Sequence, residues 1–327
     1  MTTSALPRGR SSKLRMAYQS AFATQAASGF QELNVYSHNF DRRRPIETDD
    51  ILGAGLLNAI DARAAAPALE EATGAISVPM DVAQMGFWLK ALLGAPSVSG
   101  TTPKVYTFTS GATQIPSLTI EREFVSAAQY EVIVGAVVKD AKFPFAQAAG
   151  YRAIDLNLAA RQILAPATTT AAGTPTVQPL SSRVPASIGN FKNSGVSIGR
   201  VISGDITFTN TITLDNYIGD AFVDDAVLEM QDIAINASVR YQTDALRNLA
   251  TPDATLLIPP VQSLSLEYIL SANASLVLTL PNVRLEPMSV PITNGKTTTI
   301  AVKGRAEGSA ASPMMTAVLT NTYATGY

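Results

Sequence analysis

The fold is decided by a run of alternating residues, Ile202-Ser203-Gly204-Asp205-Ile206-Thr207-Phe208-Thr209-Asn210-Thr211-Ile212-Thr213-Leu214. Nearly every even position is apolar, and the odd positions are polar. After an acidic loop the alternation resumes on odd positions, at Ile233, Ile235, Ala237, Val239 and Tyr241. Because successive side chains of a strand point to opposite faces, this pattern predicts two long strands with one buried and one polar face. Strands of about 5–6 residues are usual, so a polar face this long favours a working surface.

The rest of the chain predicts a mainly β protein with few helices. A helix is expected over residues 81–94, with Asp81 as its N-cap, Trp88 as a core or interface anchor, and Gly94 as its stop. A second, short helix is expected over residues 243–249. Asn294-Gly295 predicts a hairpin turn. Further strands are expected at 14–18, 32–40, 106–108, 117–124, 130–138, 154–163, 264–270, 276–285, 297–306 and 315–321.

Three segments lack a clear periodic pattern. Residues 1–31 carry Arg8, Arg10, Lys13 and Arg15 without an acid, which favours a flexible arm and is also typical of a transit peptide. Residues 41–75 predict a long loop, and the Thr/Ala/Pro-rich residues 164–185 predict an exposed, mobile loop insertion. We therefore expect a single domain over 1–327, and no exact internal repeat is visible.

Composition narrows the function. Charged residues make up only 15% of the chain, against roughly 25% for a typical soluble domain, which favours a subunit that buries much of its surface in an assembly. The formal net charge of −2 gives no basic field for nucleic acid. There is no cysteine, which excludes disulfides and thiolate metal sites. No apolar run approaches the roughly 20 residues of a membrane helix, so no membrane partner is expected.

The sequence shows no pattern typical of catalysis. His38 is the single histidine and has no acidic partner in sequence, which favours a structural role. Glu121 and Glu123 share a strand face and could form a carboxylate pair, but on an alternating strand a solvated face is the favoured interpretation. The acids of Asp49-Asp50 and Asp224-Asp225 are interpreted as solvated. We expect a structural protein without cofactor or metal, and no enzyme.

The order of several segments resembles the tail tube proteins (major tail proteins) of long-tailed bacteriophages. The resemblance covers most of the chain and depends on order and spacing. It is carried by Gly74-Ala75-Ile76-Ser77-Val78-Pro79-Met80-Asp81, by Met85-Gly86-Phe87-Trp88-Leu89-Lys90-Ala91-Leu92-Leu93-Gly94, by Tyr106-Thr107-Phe108, by Ile115-Pro116-Ser117-Leu118-Thr119-Ile120-Glu121, by Ile202 to Asn210, by Arg240 to Leu249, and by Leu278-Thr279-Leu280-Pro281-Asn282-Val283-Arg284-Leu285.

The resemblance implies a β-sandwich or partial barrel of the tail-tube type with one or two packed α-helices and long loops. It implies rings, usually hexameric, that stack into a hollow tube through which phage DNA passes without specific binding. Partners would be other copies of the chain, a tape-measure protein, and tail terminator and tip proteins. The location would be the virion tail, assembled in the bacterial cytoplasm.

Candidate surfaces follow from these expectations. Residues of the polar strand faces are candidates for the tube lumen, namely Asp205, Thr207, Thr209, Asp232, Asn236, Glu121 and Glu123. Arg122 and Arg240 lie on the same strands and would need acidic partners. Basic residues are candidates for contacts between rings, namely Arg8, Arg10, Lys13, Arg15, Arg42, Arg43 and Arg44. The last three are alternatively a phosphate site or, as favoured, a loop paired with nearby acids.

Other functions stay open at this level. A contractile-system inner tube or a capsid-decorating protein would share the composition and the strand pattern. An outer-membrane barrel would need a signal peptide and aromatic girdles, which are not seen. A carbohydrate-active enzyme could use Glu121 and Glu123, but no aromatic cluster for substrate stacking is visible.

Overall fold

The computed structural model of the chain describes residues 9–48, 65–251, 257–292, 297–323 and 326–327. The first part of the chain contains twelve strands, one helix and two short 3₁₀ turns. The strands are β1 (Ser12–Tyr18), β2 (Gln31–Leu33), β3 (Ser37–Arg43), β4 (Ile46–Thr48), β5 (Ala65–Pro67), β6 (Glu71–Pro79), β7 (Ser97–Ser99), β8 (Lys104–Thr109), β9 (Leu118–Phe124), β10 (Gln129–Pro144), β11 (Ala153–Ala160) and β12 (Gln162–Ile163). The helix is α1 (Met85–Leu93), and the 3₁₀ turns are Gly9–Ser11 and Val125–Ala127.

The remaining part of the chain adds nine strands and a four-residue helix. The strands are β13 (Thr176–Val177), β14 (Asn190–Asn193), β15 (Val196–Ser197), β16 (Val201–Asp215), β17 (Asp225–Arg240), β18 (Val261–Ser271), β19 (Ala274–Leu285), β20 (Thr299–Ala306) and β21 (Thr316–Asn321), and the helix is α2 (Ala245–Asn248). The predicted mainly β class is confirmed.

Eight strands form one large sheet in the order β3-β6-β11-β10-β16-β17-β20-β19, with antiparallel neighbours throughout. The long strands β10 and β19 continue out of this sheet into a second layer. There β10 pairs with β9 and β12, and β19 pairs with β18 and β21. When the strand pairings among the described residues are followed from one strand to the next, they never lead back to the starting strand. The arrangement is therefore open and not a closed barrel.

The alternation in the longest strands is confirmed. In β16 the even positions from Ile206 to Asn210 point inward, and Ile206 and Phe208 are fully buried. Ile202 was expected on the same buried face but is 41% exposed, because the register shifts between Val201 and Ser203. In β17 the inward positions are odd, and Ile233 and Ile235 are buried. The strands are 15 and 16 residues long and pair antiparallel over most of their length. One face of the large sheet therefore closes the core, and the other is polar.

Helix α1 lies inside the sandwich, between β10, β8 and β21. All its residues except Lys90 are buried, including Trp88, so the predicted anchor role in the core is confirmed. The helix begins at Met85 rather than Asp81. The carboxylate of Asp81 instead accepts hydrogen bonds from the Ala83 and Ser182 amides at 2.8 and 2.7 Å, and so closes the turn before the helix.

The expected loops differ from the structure in extent. Strand β3 ends at Arg43 and β6 begins at Glu71, so residues 41–43 and 71–75 of the predicted 41–75 loop belong to the large sheet. Strands β4 and β5 form a separate two-stranded sheet. Asp49 and Asp50 and the predicted turn at Asn294-Gly295 lie outside the described residues.

The second part of the chain repeats the pairing scheme of the first, which sequence inspection did not reveal. Module one consists of β1, β3, β6, α1, β9, β10, β11 and β12. Module two consists of β14, β16, β17, α2, β18, β19, β20 and β21. The ladders correspond in chain order, namely β1–β9 to β14–β18, β9–β10 to β18–β19, β10–β12 to β19–β21, β10–β11 to β19–β20, β11–β6 to β20–β17, and β6–β3 to β17–β16.

Candidate assembly surfaces

The predicted lumen residues of β16 and β17 lie together on the polar face of the large sheet. Asp205 is directly opposite Asn236, and Thr209 is opposite Asp232. Thr207 lies between them, opposite Ala234. Their side chains are partly or fully exposed in the subunit. The alternation thus brings five of the seven predicted lumen residues to one surface.

Neighbouring strands add cations to this face that sequence reasoning missed. Lys142 on β10 forms an ion pair with Asp205 at 3.4 Å, and Arg305 on β20 forms one with Asp232 at 3.6 Å. Lys303 lies opposite Asn236. The sequence does carry a signal for these cations, because inward-facing Val302, Gly304 and Ala306 alternate with Ala301, Lys303 and Arg305.

The centre of the polar face is therefore close to balanced in charge. On β10, β11, β16, β17 and β20 its acids are Asp140, Asp155, Asp205 and Asp232, and its bases are Lys139, Lys142, Arg240, Lys303 and Arg305. Exposed ion pairs contribute about 0–1 kcal/mol each to stability, so these pairs serve the electrostatics of the surface more than the fold. A face with balanced charges offers DNA phosphates no continuous row of cations.

Glu121 and Glu123 lie elsewhere, inside the subunit. The side chain of Glu121 is fully buried, and its carboxylate lies 2.7 Å from the Arg15 guanidinium. Glu123 forms an ion pair with the same guanidinium. Both were expected on the lumen face, but alternation alone does not show that another segment covers this part of β9.

The covering segment is the 164–185 loop. The Thr170 hydroxyl donates to Glu121 at 2.9 Å, and the main-chain amides of Ala171 and Ala172 donate to the same carboxylate at 2.6 and 3.2 Å. Further along, the Thr176 amide donates to the Phe30 carbonyl at 2.9 Å. The segment is thus fastened across β9, β1 and β2 instead of extending freely as predicted.

Arg15 is the centre of this buried cluster and not an exposed contact for another ring. Its side chain is 9% exposed and also reaches Glu32 at 3.2 Å. Burial alone would lower the pKa of Arg15, but hydrogen bonds to Glu121 and Glu32 and the charge of Glu123 outweigh it and raise the pKa. Two carboxylates held by one guanidinium are unsuited to the acid and base roles that a glycosidase needs.

The other predicted inter-ring cations have partners within the subunit. Lys13 pairs with Glu32 at 3.2 Å, and Arg43 pairs with Asp41 at 2.9 Å. Arg42 pairs at 2.8 Å with the buried carboxylate of Glu70, and Arg44 donates to the Ala68 carbonyl at 3.4 Å. The favoured charge-paired interpretation holds for Arg42 and Arg43. Arg8 and the side chain of Arg10 lie outside the described part of the chain.

Arg122 and His38 are half-buried near β1. Arg122 has the acidic partner it needs in Glu131 and also lies over the Phe40 ring, 5.9 Å from its centroid. The His38 Nε2 atom lies 3.0 Å from the Ser12 hydroxyl oxygen. Burial, followed by the charge of Arg122, lowers the pKa of His38, so the imidazole is neutral at pH 7.

Among the described residues, the acidic pairs form no metal site and the helices form no membrane span. Asp224 forms an ion pair with Arg161 at 3.3 Å, which accounts for one of the acids considered for a cation. Within the described part of the chain, no three acidic or histidine side chains cluster as a metal site would require. No helix there is long and apolar enough to cross a membrane.

Comparison with known protein families identifies the family of the chain. Residues 9–315 match the family described as phage tail tube protein. The chain belongs to the phage tail tube protein family. The match spans module one and all of module two except β21, and agrees with the earlier resemblance. A search of curated proteins finds no match.

Family membership makes the chain a structural component of the phage virion. The family implies self-assembly into a tube, and it is not a known class of enzyme. The mainly β sandwich with a central helix is consistent with a tail tube fold. The polar face and the edges of the large sheet are the features that bear on how this chain builds a tube.

Proposed function

We propose that copies of the chain form rings that stack into a hollow phage tail tube, and that double-stranded DNA passes through it. The polar face of the large sheet is the lumen wall. Asp205, Thr207, Thr209, Asp232 and Asn236 line the channel at its centre. Glu121 and Arg15 are left out of the contact surfaces because they are buried within the subunit, and Glu123 because it is half-buried and paired with Arg15.

The observation that carries this proposal is the pairing of acids and bases on the polar face. Two of its cations, Lys142 and Arg305, each have a carboxylate within 3.6 Å. Lys303 and Arg240 form no ion pair among the described residues, but acids of the same face lie between the cations. Phosphate contacts dominate the affinity of proteins for DNA. A wall on which carboxylates are interspersed among the cations lets the duplex slide, whereas a row of lysines without acids would hold it.

The opposite face explains why the wall is stiff. Ile206, Phe208, Ile233 and Ile235 pack against the central layer of the subunit, and helix α1 is buried beneath the sheet. Such packing is dense and resists deformation. Exposed sheet edges are the other requirement for a tube, because pairing between copies removes edges that an isolated protein must protect.

The virion context completes the proposal. The chain assembles in the bacterial cytoplasm around a tape-measure protein, and terminator and tip proteins close the two ends of the tube, as the family resemblance implies. The lumen binds DNA transiently and reads no sequence, because base readout requires side chains that enter the grooves.

Electron microscopy of the purified protein at high concentration tests the assembly. We expect smooth hollow tubes with a regular axial repeat. A reconstruction should place Asp205 and Asp232 on the inner wall. Decorated shells, or tubes whose outer surface carries these side chains, would contradict the proposal.

A further inference from the structure

The two modules share more than their order of pairing. In module one, β6 and β11 place Ile76 opposite Leu156 and Val78 opposite Ile154. In module two, β17 and β20 place Ala237 opposite Val302 and Val239 opposite Ile300. All eight of these side chains are buried. The registers therefore coincide, with the same pairs turned towards the core.

The helices occupy equivalent positions as well. Helix α1 begins at Met85, seven residues after Val78. Leu246, seven residues after Val239, lies within α2 and packs against the core. Each module is therefore a strand hairpin, a helix and two further hairpins built on one plan. Conserving this plan requires only that apolar residues recur at matching positions, so the sequences of the modules need not look alike.

The modules join edge to edge within the large sheet. The last wall strand of module one, β10, pairs antiparallel with the first wall strand of module two, β16. Five residue pairs connect them, from Asp140 opposite Thr209 to Pro144 opposite Asp205. One chain thus already contains one complete contact between successive modules.

The counterparts of these two edges are β3 and the segment that follows β19, and neither has a second strand partner among the described residues. Strand β3, the counterpart of β16, pairs only with β6 among the described residues. At the end of β6 the Met80 amide donates a hydrogen bond to the Arg152 carbonyl, beside β11. The main-chain groups of even-numbered residues in β6 therefore point towards β11, and those of odd-numbered residues point towards β3. Because odd residues of β3 face odd residues of β6, the main-chain groups of His38, Phe40 and Arg42 point to the open edge.

The counterpart of the β10 edge is the segment that continues β19, residues 286–292. Met288 and Val290 are half-buried against the core, and the residues between and beside them are exposed. This alternation matches Ala141 and Phe143 of β10, which are buried between exposed or half-exposed neighbours. The segment is not a strand in the isolated subunit, but its burial alternates as in a strand, and no strand pairs with it among the described residues.

We propose that the ring contains three chains, each supplying two successive modules, and that residues 286–292 of one copy pair antiparallel with β3 of the next. This inference rests on the proposed tube function and specifies its geometry. Every contact around the ring, whether within a chain or between chains, then repeats the β10–β16 contact. The ring has strict threefold and approximate sixfold symmetry.

Barrel geometry selects three chains. With eight strands per chain, strands about 4.8 Å apart and a tilt of about 40°, three chains give 24 strands and a backbone diameter of about 48 Å. Side chains take about 5 Å from each wall, half of the roughly 10 Å between packed sheets. Two chains would give about 32 Å, too narrow for a hydrated duplex, and six would give about 96 Å, far wider than a sliding duplex needs.

Engineered disulfides test the contact and count the chains together, because the chain has no cysteine. Ser289→Cys and Asp41→Cys place one thiol on each proposed edge, on the same exposed face. We expect assembled double variants, once oxidised and denatured, to give covalent products that end at three chains, about 103 kDa from 34.4 kDa each. Each single variant should stop at two chains or fewer.

The outcomes separate this inference from the proposed function. A ladder that extends to six chains, or tubes that assemble without any cross-link, overturns the three-chain edge contact and leaves the tube itself in place. Wild-type protein that forms no tube overturns the proposed function.

A proline variant gives a second, independent test of the edge. Arg42→Pro removes an amide that points outward from β3, so the ladder to β6 is kept, whereas Arg42→Ala removes only the ion pair to Glu70. We expect folded Arg42→Pro protein, judged by circular dichroism, to lose at least roughly tenfold in ring formation relative to Arg42→Ala. Equal assembly of the two variants overturns the pairing of β3.

Discussion

The side-chain amide of Asn210 donates a hydrogen bond to the main-chain carbonyl of Leu92, joining β16 to the last turn of helix α1 at 3.1 Å. The same amide donates to the Val138 carbonyl at 3.0 Å, and its oxygen accepts from Gln231 at 2.9 Å. Asn210 occupies an even, inward position of the strand and is fully buried. A polar residue thus ties the wall sheet, its neighbour and the helix together.

Replacing Asn210 by Leu should destabilise the subunit. The carbonyls of Leu92 and Val138 would remain buried without these donors, and each unsatisfied group costs about 1–3 kcal/mol. We expect a loss of about 2–5 kcal/mol in the free energy of unfolding, measured by urea denaturation. Thr209→Leu on the exposed face is the control and should change stability by much less. Equal losses for the two variants would refute the linking role of Asn210.

Replacing Arg15 alone should destabilise the subunit more than replacing Arg15 and Glu121 together. Arg15→Met leaves the buried Glu121 carboxylate without its cation, and breaking a buried pair typically costs about 3–5 kcal/mol. The double variant Arg15→Met/Glu121→Gln should recover part of this loss, because an amide still accepts from the Ala171 amide. Chemical denaturation of the wild type, the two single variants Arg15→Met and Glu121→Gln, and the double variant gives the coupling energy between the two side chains. Additive effects would show that the two side chains do not depend on each other.

These two residues show what the sequence can and cannot predict. The long strands, the central helix and most of the polar face follow from local periodicity, because a period of two assigns Ile206 inward and Thr207 outward. Glu121 follows the same rule on β9 and yet is buried, because the 164–185 loop covers it with Thr170, Ala171 and Ala172, which are distant from it in sequence. The modular repeat was missed because equivalent positions such as Ile76 and Ala237 share burial and register but not identity.

Reversing charge on the polar face should slow DNA passage. In Asp205→Lys/Asp232→Lys, Lys142 and Arg305 lose their carboxylates and two more cations join them. Phosphates would then bind the wall, and the effect should weaken as salt rises. We expect DNA release from reconstituted particles to be at least roughly severalfold slower at low salt. Asp205→Asn/Asp232→Asn, which adds no cation, is the matched control.

The rate of DNA release by fluorescence of a DNA-binding dye measures this effect. If the lysine and asparagine variants release DNA at the same rate at every salt concentration, the polar face does not line the channel.

His38 should make stability depend on pH in the mildly acidic range. Burial and the nearby Arg122 lower the pKa of His38 below its ordinary value of about 6.5. Below that value the unfolded chain binds more protons than the folded one, so stability falls as pH drops from about 6.5 through the folded-state pKa. Ser12 contacts the imidazole at 3.0 Å and carries no charge to offset this.

Thermal unfolding between pH 7.5 and 5 checks this expectation. Wild-type protein should lose melting temperature across the window, and His38→Gln, which keeps a polar group but does not titrate, should show a flatter profile. Parallel profiles for the two proteins would assign the pH dependence to the carboxylates instead.

The C-terminal ring of Tyr327 should reverse the usual effect of a helix substitution at Gly86. A Cβ at Gly86 would come within 2.2 Å of the Tyr327 ring, whose hydroxyl donates to the Ala83 carbonyl at 2.7 Å. In an open helix position, Gly→Ala stabilises by about 1 kcal/mol. Gly86→Ala should instead destabilise by about 1–3 kcal/mol, because the ring must move. In a Tyr327→Ala background the same substitution should stabilise the subunit. Urea denaturation of the wild type, the two single variants and the double variant would detect this change of sign. A stabilising effect of Gly86→Ala in both backgrounds would show that Tyr327 does not pack on helix α1.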